Sequence, residues 1–336
     1  MSTEREKHVK IVSDILKGKA ELSASEEADP ARMGQASLMY RRCKDYFGNP
    51  IDEDKSDMQK RVRRGDIGAI HSFACMVNMP ELFHGPRVSK SDQSLAKSIR
   101  TNALNRLIVI SAEDIGVADL GVVQICLQRL LPMTWGKKRV AFDYAEAVGC
   151  LELMCAAQKT RLGSWLYCAY GISSNRVYAQ GEGLAVPEDV DLRTLPLDNL
   201  ACFRCFEKKQ EELIWQRIFH EVPFVSEYYQ LLKWLYSAFK YLSEKRPFLS
   251  LALALLHYRP AIAVPQLPAV SAERVRELEN HEFSMEILPD AVDKHTARGR
   301  AAGANRALFV TKGAKLENEC PLYNDEVLKR IYAKGK

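Results

Sequence analysis

No Gly-x-x-x-x-Gly-Lys-Ser/Thr phosphate loop occurs anywhere in the 336 residues, so a nucleotide held by that device is not expected. No stretch alternates apolar and polar residues for long enough to read as a strand, which argues against a sheet-based fold. The most apolar run, 248–256, is too short to span a bilayer, and Arg259 and Pro260 prevent its extension. The first residues, Met1 to Lys7, are charged and lack the apolar centre of a signal peptide. Cys-x-x-Cys occurs once, at Cys202 and Cys205, without the second pair or the His pair that a zinc module needs. These absences leave an all-α protein without a membrane span and without a recognisable cofactor site.

The nine cysteines are scattered and odd in number. Cys126, Cys150, Cys155 and Cys168 fall inside apolar helical runs, the pattern of buried thiols in a reducing compartment. A cytoplasmic or nuclear location is expected, a viral factory included. The apolar share of 47% and charged share of 27% are those of a globular chain. The formal charge of +5 is unevenly placed: residues 291–336 hold ten basic and five acidic side chains, and the rest of the chain balances. A neutral body with a basic C-terminal segment points to a polyanion.

Helical spacing tightens from Ser56 onward. We expect an N-terminal extension (1–54), a helical domain (55–170), a loop (171–196) rich in Gly and Pro, a second helical block (197–258), and a linker, short helix and basic segment (259–336). Two helices should meet at Gly65, with Asp66 capping the second, and a long central helix should start at Ser91 or Asp92. Ser271 should cap a charged helix that ends near Asn280.

The centre of the chain is 102–131. Leu104, Leu107, Ile108 and Ile110 lead into Ser111-Ala112-Glu113-Asp114-Ile115-Gly116, and Val122, Val123, Ile125, Cys126 and Leu127 come next. The hexapeptide is the joint between two helices. Glu113 and Asp114 sit about a third of a turn apart and so do not share a proton. Their expected role, like that of Gly116, is structural: capping the next helix and pairing with Arg106 or Arg100.

In order along the chain come Arg61-Val62-Arg63-Arg64-Gly65-Asp66, the helix at 103–110 running into Ser111-Ala112-Glu113-Asp114-Ile115-Gly116-Val117-Ala118-Asp119, then Ala145-Glu146-Ala147, then Lys159-Thr160-Arg161. This series resembles the C-terminal region of the MgsA/RarA-type replication-associated recombination ATPases, the Werner-helicase-interacting ATPases of eukaryotes. The resemblance covers roughly a third of the chain. It implies a clamp-loader-collar-like helical domain that joins subunits into an oligomer and docks with proteins at the replication fork. The family's ATPase module is not matched, and ATP hydrolysis is not expected.

The stretch most like a binding site is Asp293-Lys294-His295-Thr296-Ala297-Arg298-Gly299-Arg300-Ala301-Ala302-Gly303. Lys294, His295, Arg298, Arg300 and Arg306 offer donors suited to phosphate, and Lys60, Arg61, Arg63 and Arg64 offer more. Phe309 is placed either to pack back onto the body or to stack on a base. The same segment also reads as a structural clasp. His281, Glu282, Asp290, Asp293 and His295 are dense in metal-ligating types but match no known ligand spacing. The leading expectation is a non-catalytic DNA replication or repair accessory protein. A scaffold with protein partners only is the alternative, and a metal-dependent enzyme centred on Asp293 and His295 is a third class.

Overall fold

The computed structural model describes residues 43–82, 90–134, 140–160, 211–257, 259–304 and 309–320. Among them there is helix and no strand, only the isolated bridges Lys44–Pro50 and Lys159–Glu319. The all-α expectation therefore holds. No described helix is long and apolar enough to cross a membrane. The loop at 171–196, the Cys202–Cys205 pair, Arg306 and the end of the basic segment (321–336) lie outside the described residues.

The chain divides into two compact units, each built from separated segments. The first takes Met1–Leu107, Gly136–Ala156 and Leu267–Glu317. Its helices are α1 (Ile51–Arg63), α2 (Ala69–Val77), α3 (Met79–Leu82), most of α4 (Lys90–Ile110), α6 (Tyr144–Ala156), α10 (Ala272–Glu279) and α11 (Ala297–Ala301). The second takes Ile108–Trp135, Ala157–Gln266 and Asn318–Lys336, with α5 (Leu120–Thr134), α7 (Glu211–Glu221), α8 (Glu227–Tyr241) and α9 (Arg246–His257).

In the first unit, α1 begins after Pro50 with Asp52, Glu53 and Asp54 in its first turn and ends with Lys60, Arg61 and Arg63 in its last. Both sets complement the helix dipole. The end is a Schellman motif. Gly65 donates to Val62 O and Asp66 N–H to Arg61 O, and Gly65 has the left-handed φ of +66° that this closure requires. Asp66 then accepts from Gly68 N–H at the head of α2 (2.8 Å). Packing is apolar between α1, α2 and α6, through Ile51, Met58, Val62, Ile70, Phe73, Val148 and Leu151, all fully buried. The helix α10 carries its expected Ser271 cap, which accepts from Arg274 N–H (3.1 Å).

The second unit holds the joint. Ser111–Ile115 is a single π-helical turn, and Gly116–Ala118 a 3-10 turn. Gly116 has φ +51° and donates to Ser111 O. Asp114 is fully buried, and its carbonyl accepts from Thr160 N–H (2.9 Å). The expected cap of the next helix is corrected here. Asp119, not Glu113 or Asp114, accepts from Val122 N–H at the start of α5 (3.1 Å). Arg100, which lies in the other unit, pairs with Glu81 and Val77 O. Against the joint packs α9, whose residues Phe248 to Leu255 are buried without a break. Trp215 of α7 is buried among Phe219, Tyr236 and Phe239.

Within α9 two neighbours are equally buried but unlike in chemistry. Leu253 has only apolar duties, whereas the Ser250 hydroxyl has no hydrogen-bond partner. Leu253→Ala should destabilise by about 3 kcal/mol. Ser250→Ala should be neutral or stabilise by about 1 kcal/mol, because it removes an unsatisfied hydroxyl. Thermal unfolding of the two variants checks the opposite signs.

Candidate nucleic-acid interface

The polar residues of α1 are the ones least expected in a core. Glu53, Asp54, Asp57, Lys60 and Arg63 are each no more than 2% exposed. Burying a charged helical face is costly unless its groups find partners. Here most partners come from one distant segment of the same unit, 286–317.

The contacts run along the whole helix. Asp52 accepts from Ala297 N–H (2.7 Å), and Glu53 accepts from Arg298 (2.7 Å). Asp57 accepts from Leu288 N–H (2.8 Å), from Ser72 (2.6 Å) and from Arg61 (2.6 Å). Lys60 donates to Asp293 at 2.6 Å and to Ser56 at 2.6 Å. Arg61 also reaches Asp66 and Glu286 O. Arg64 pairs with Asp290. Arg63 donates to Gly313 O (2.8 Å), and Glu317 N–H returns to Arg63 O (2.9 Å). The segment is a clasp over α1.

Its own fold is locally determined. Thr296 caps α11 by accepting from Gly299 N–H (3.1 Å). Gly299 is required by close approach, since a Cβ there would stand 1.9 Å from Asp293 O. The segment closes back at Ala304 N–H to Gly299 O (2.8 Å). Phe309, half-buried, meets His295 edge-on at 4.8 Å, with Lys294 and Arg63 over its face. Packing back, the first of its two expected roles, is what it does.

Electrostatics reflect this burial. Burial alone would raise the Asp293 carboxyl, yet hydrogen bonds from His295 and Lys60 and the Lys60 charge hold it well below the ordinary carboxylate range. Desolvation lowers the Lys60 ammonium despite the opposing pull of Asp293. Burial raises Glu53 in spite of Arg298.

The nine candidate phosphate donors thus separate. Lys60 and Arg63 are buried within the clasp and present no surface to a polyanion, so they are corrected to structural residues. Arg61 and Arg64 are mostly covered and ion-paired. His295 and Arg298 remain open, with side chains 56% and 62% exposed, and Arg300 is exposed while donating to His295 O (3.0 Å). Lys294 is half-buried. The metal-like cluster does not converge. Asp293 is taken by Lys60 and His295, Asp290 by Arg64, and His281 stacks on Tyr46 at 4.3 Å.

Two features were not read from the sequence. Tyr46 (52% exposed) and Phe47 (36%) form an aromatic patch with His281 and Phe283, which also stacks on His71 at 4.5 Å. The signal was Tyr-Phe just before the Gly48-Asn49-Pro50 turn. The other is the buried carboxylate row Asp45, Asp54 and Asp57, in and after the turn that precedes α1.

Comparison with protein-family models, with curated proteins and with solved structures finds no match.

Breaking the clasp at its centre should be costly. Asp293→Asn leaves the buried Lys60 without a counter-charge, and should lower stability by about 3 kcal/mol at neutral pH. Because the folded carboxyl is depressed, its contribution is complete above the unfolded value of about 3.9 and is lost as pH falls through the folded one. The gap between wild type and variant should therefore narrow below about pH 4, as urea titrations at a series of pH values would show. Gly299→Ala should also destabilise, by about 3 kcal/mol, through collision with the Asp293 backbone. Thermal unfolding and limited proteolysis within 286–304 read this out.

Proposed function

We propose that this chain is a non-catalytic accessory protein of DNA replication or repair. In this reading the helical region around the Ser111–Ala118 joint is arranged like a clamp-loader collar and serves to oligomerise or to dock on fork proteins. Nucleic acid is met by the clasp. The observation that carries the proposal is the basic edge of the clasp, where His295, Arg298 and Arg300 are exposed and Lys294 is half-buried. Phosphate contacts of this kind position a protein without reading sequence. Tyr46 and Phe47, exposed on the same unit, add faces on which unpaired bases stack.

A scaffold that binds protein partners only is favoured by a different observation. Arg61, Arg64 and Arg298 already have carboxylate partners within the chain, so much of the local positive charge is internally balanced.

Binding to single- and double-stranded DNA across a salt series separates the two. The nucleic-acid reading expects affinity that falls with salt, and a shallower salt slope in Arg298→Ala/Arg300→Ala. Absence of salt-sensitive binding in the wild type would leave the scaffold reading. Light scattering with and without DNA measures the expected oligomer.

A further inference from the structure

Three side chains of the first unit, all outside the clasp, come together in its core. Asp45 lies in the turn before α1, Asp54 on the first turn of that helix and Cys75 on α2, and all three are fully buried. One donor atom from each lies within 4.8 Å of the other two. Asp45 is oriented by its own turn, accepting from Asn49 N–H (2.7 Å) and from the Asn49 amide (3.1 Å). Asp54 is different: neither of its oxygens has a hydrogen-bond partner. A carboxylate fully removed from water with no donor facing it is among the most unfavourable groups a core can hold. A nearby cation or a retained proton would relieve it.

We propose that Asp45, Asp54 and Cys75 form a metal site that takes a divalent transition ion, Zn2+ by preference. The donor set makes that choice. A thiolate disfavours Mg2+ and Ca2+, and one sulfur with two oxygens suits a borderline ion. Tetrahedral Zn2+ with bonds of about 2.1–2.3 Å needs ligand atoms about 3.5 Å apart, so binding draws the triangle in from separations of up to 4.8 Å. The fourth position falls to a water. Binding displaces the Cys75 proton and any proton on Asp54 to solvent, leaving a thiolate and two carboxylates around the ion. Their three negative charges then meet the two positive charges of Zn2+. Burial and the Asp45 charge push the Asp54 carboxyl well above its ordinary value, and burial, the charges of Asp54 and Asp45 and a hydrogen bond to Asp45 raise Cys75. The ion would pin the 43–50 turn to α1 and α2, so its role is structural. The site is independent of the proposed nucleic-acid contact.

The test uses the full chain, stripped with chelator, kept reduced and titrated with Co2+. The expected result is a thiolate-to-cobalt charge-transfer absorption that saturates at a single equivalent, a rise in Tm, and loss of the band when Zn2+ is added. Cys75→Ser should abolish the band, and Asp54→Asn should weaken binding by about tenfold or more. Alkylation of wild-type Cys75, mapped by mass spectrometry, should be slowed by Zn2+ and restored by chelator; this measurement decides the matter even where Cys75→Ser does not fold. No band and no Tm change in the wild type would overturn the proposal. So would a band that survives Cys75→Ser, or an Asp54→Asn variant whose Tm rises and no longer responds to metal because the native group is simply a buried neutral acid.

Discussion

The burial of the charged face of α1 is the constraint on which the first unit depends. A helix carrying Glu53, Asp57, Lys60 and Arg63 inward has no stable place in an apolar core. It becomes possible only because 286–317 delivers complementary groups in register: Arg298 for Glu53, Leu288 N–H for Asp57, Asp293 for Lys60 and the Gly313 carbonyl for Arg63. Each such contact is modest against water, but each becomes obligatory once water is excluded. The clasp is thus held by specific partners rather than by apolar area, and loss of the Asp293 or Arg298 side chain strands the charge of Lys60 or Glu53.

The second unit is held differently. Its helices meet through an almost uninterrupted apolar run in α9, through the Trp215 cluster, and through a joint whose backbone departs from α-helical geometry from Ser111 to Ala118. The π turn and 3-10 turn carry the chain from α4 to α5 with only Asp119 between them and α5. The bond from Thr160 N–H to the Asp114 carbonyl uses one of the acceptors that such a junction leaves over. The local string Ser111-Ala112-Glu113-Asp114-Ile115-Gly116 is what makes this junction.

Helix positions were legible because they arise from apolar spacing and from caps with a local mechanism, as at Ser271 and around Gly65 and Asp66. The function of the charges was not. Arg61, Arg63 and Arg64 look like a solvated basic patch because a sequence window of about a dozen residues contains no sign of Glu286, Asp290 or Gly313, far along the chain. The same blindness hid Asp54, whose place in an acidic first turn is ordinary until α2 is seen to bring Cys75 beside it. Local rules determined the elements, while pairings distant in sequence determined which charges stay available.

The clasp also bears on how the chain comes into being. Asp52 and Ala297 are separated by 245 residues. At ordinary rates of translation, about 5–20 residues per second, α1 leaves the ribosome on the order of 10–50 s before its counterpart. During that interval its carboxylates and cations are served by water, and the apolar stripe of Ile51, Met58 and Val62 has only α2 to pack against until α6 emerges. Assembly of the first unit is therefore late in its last step and governed by closure of a very long loop. For a newly made molecule, that delay is the window in which chaperones and proteases compete with the segment that completes it.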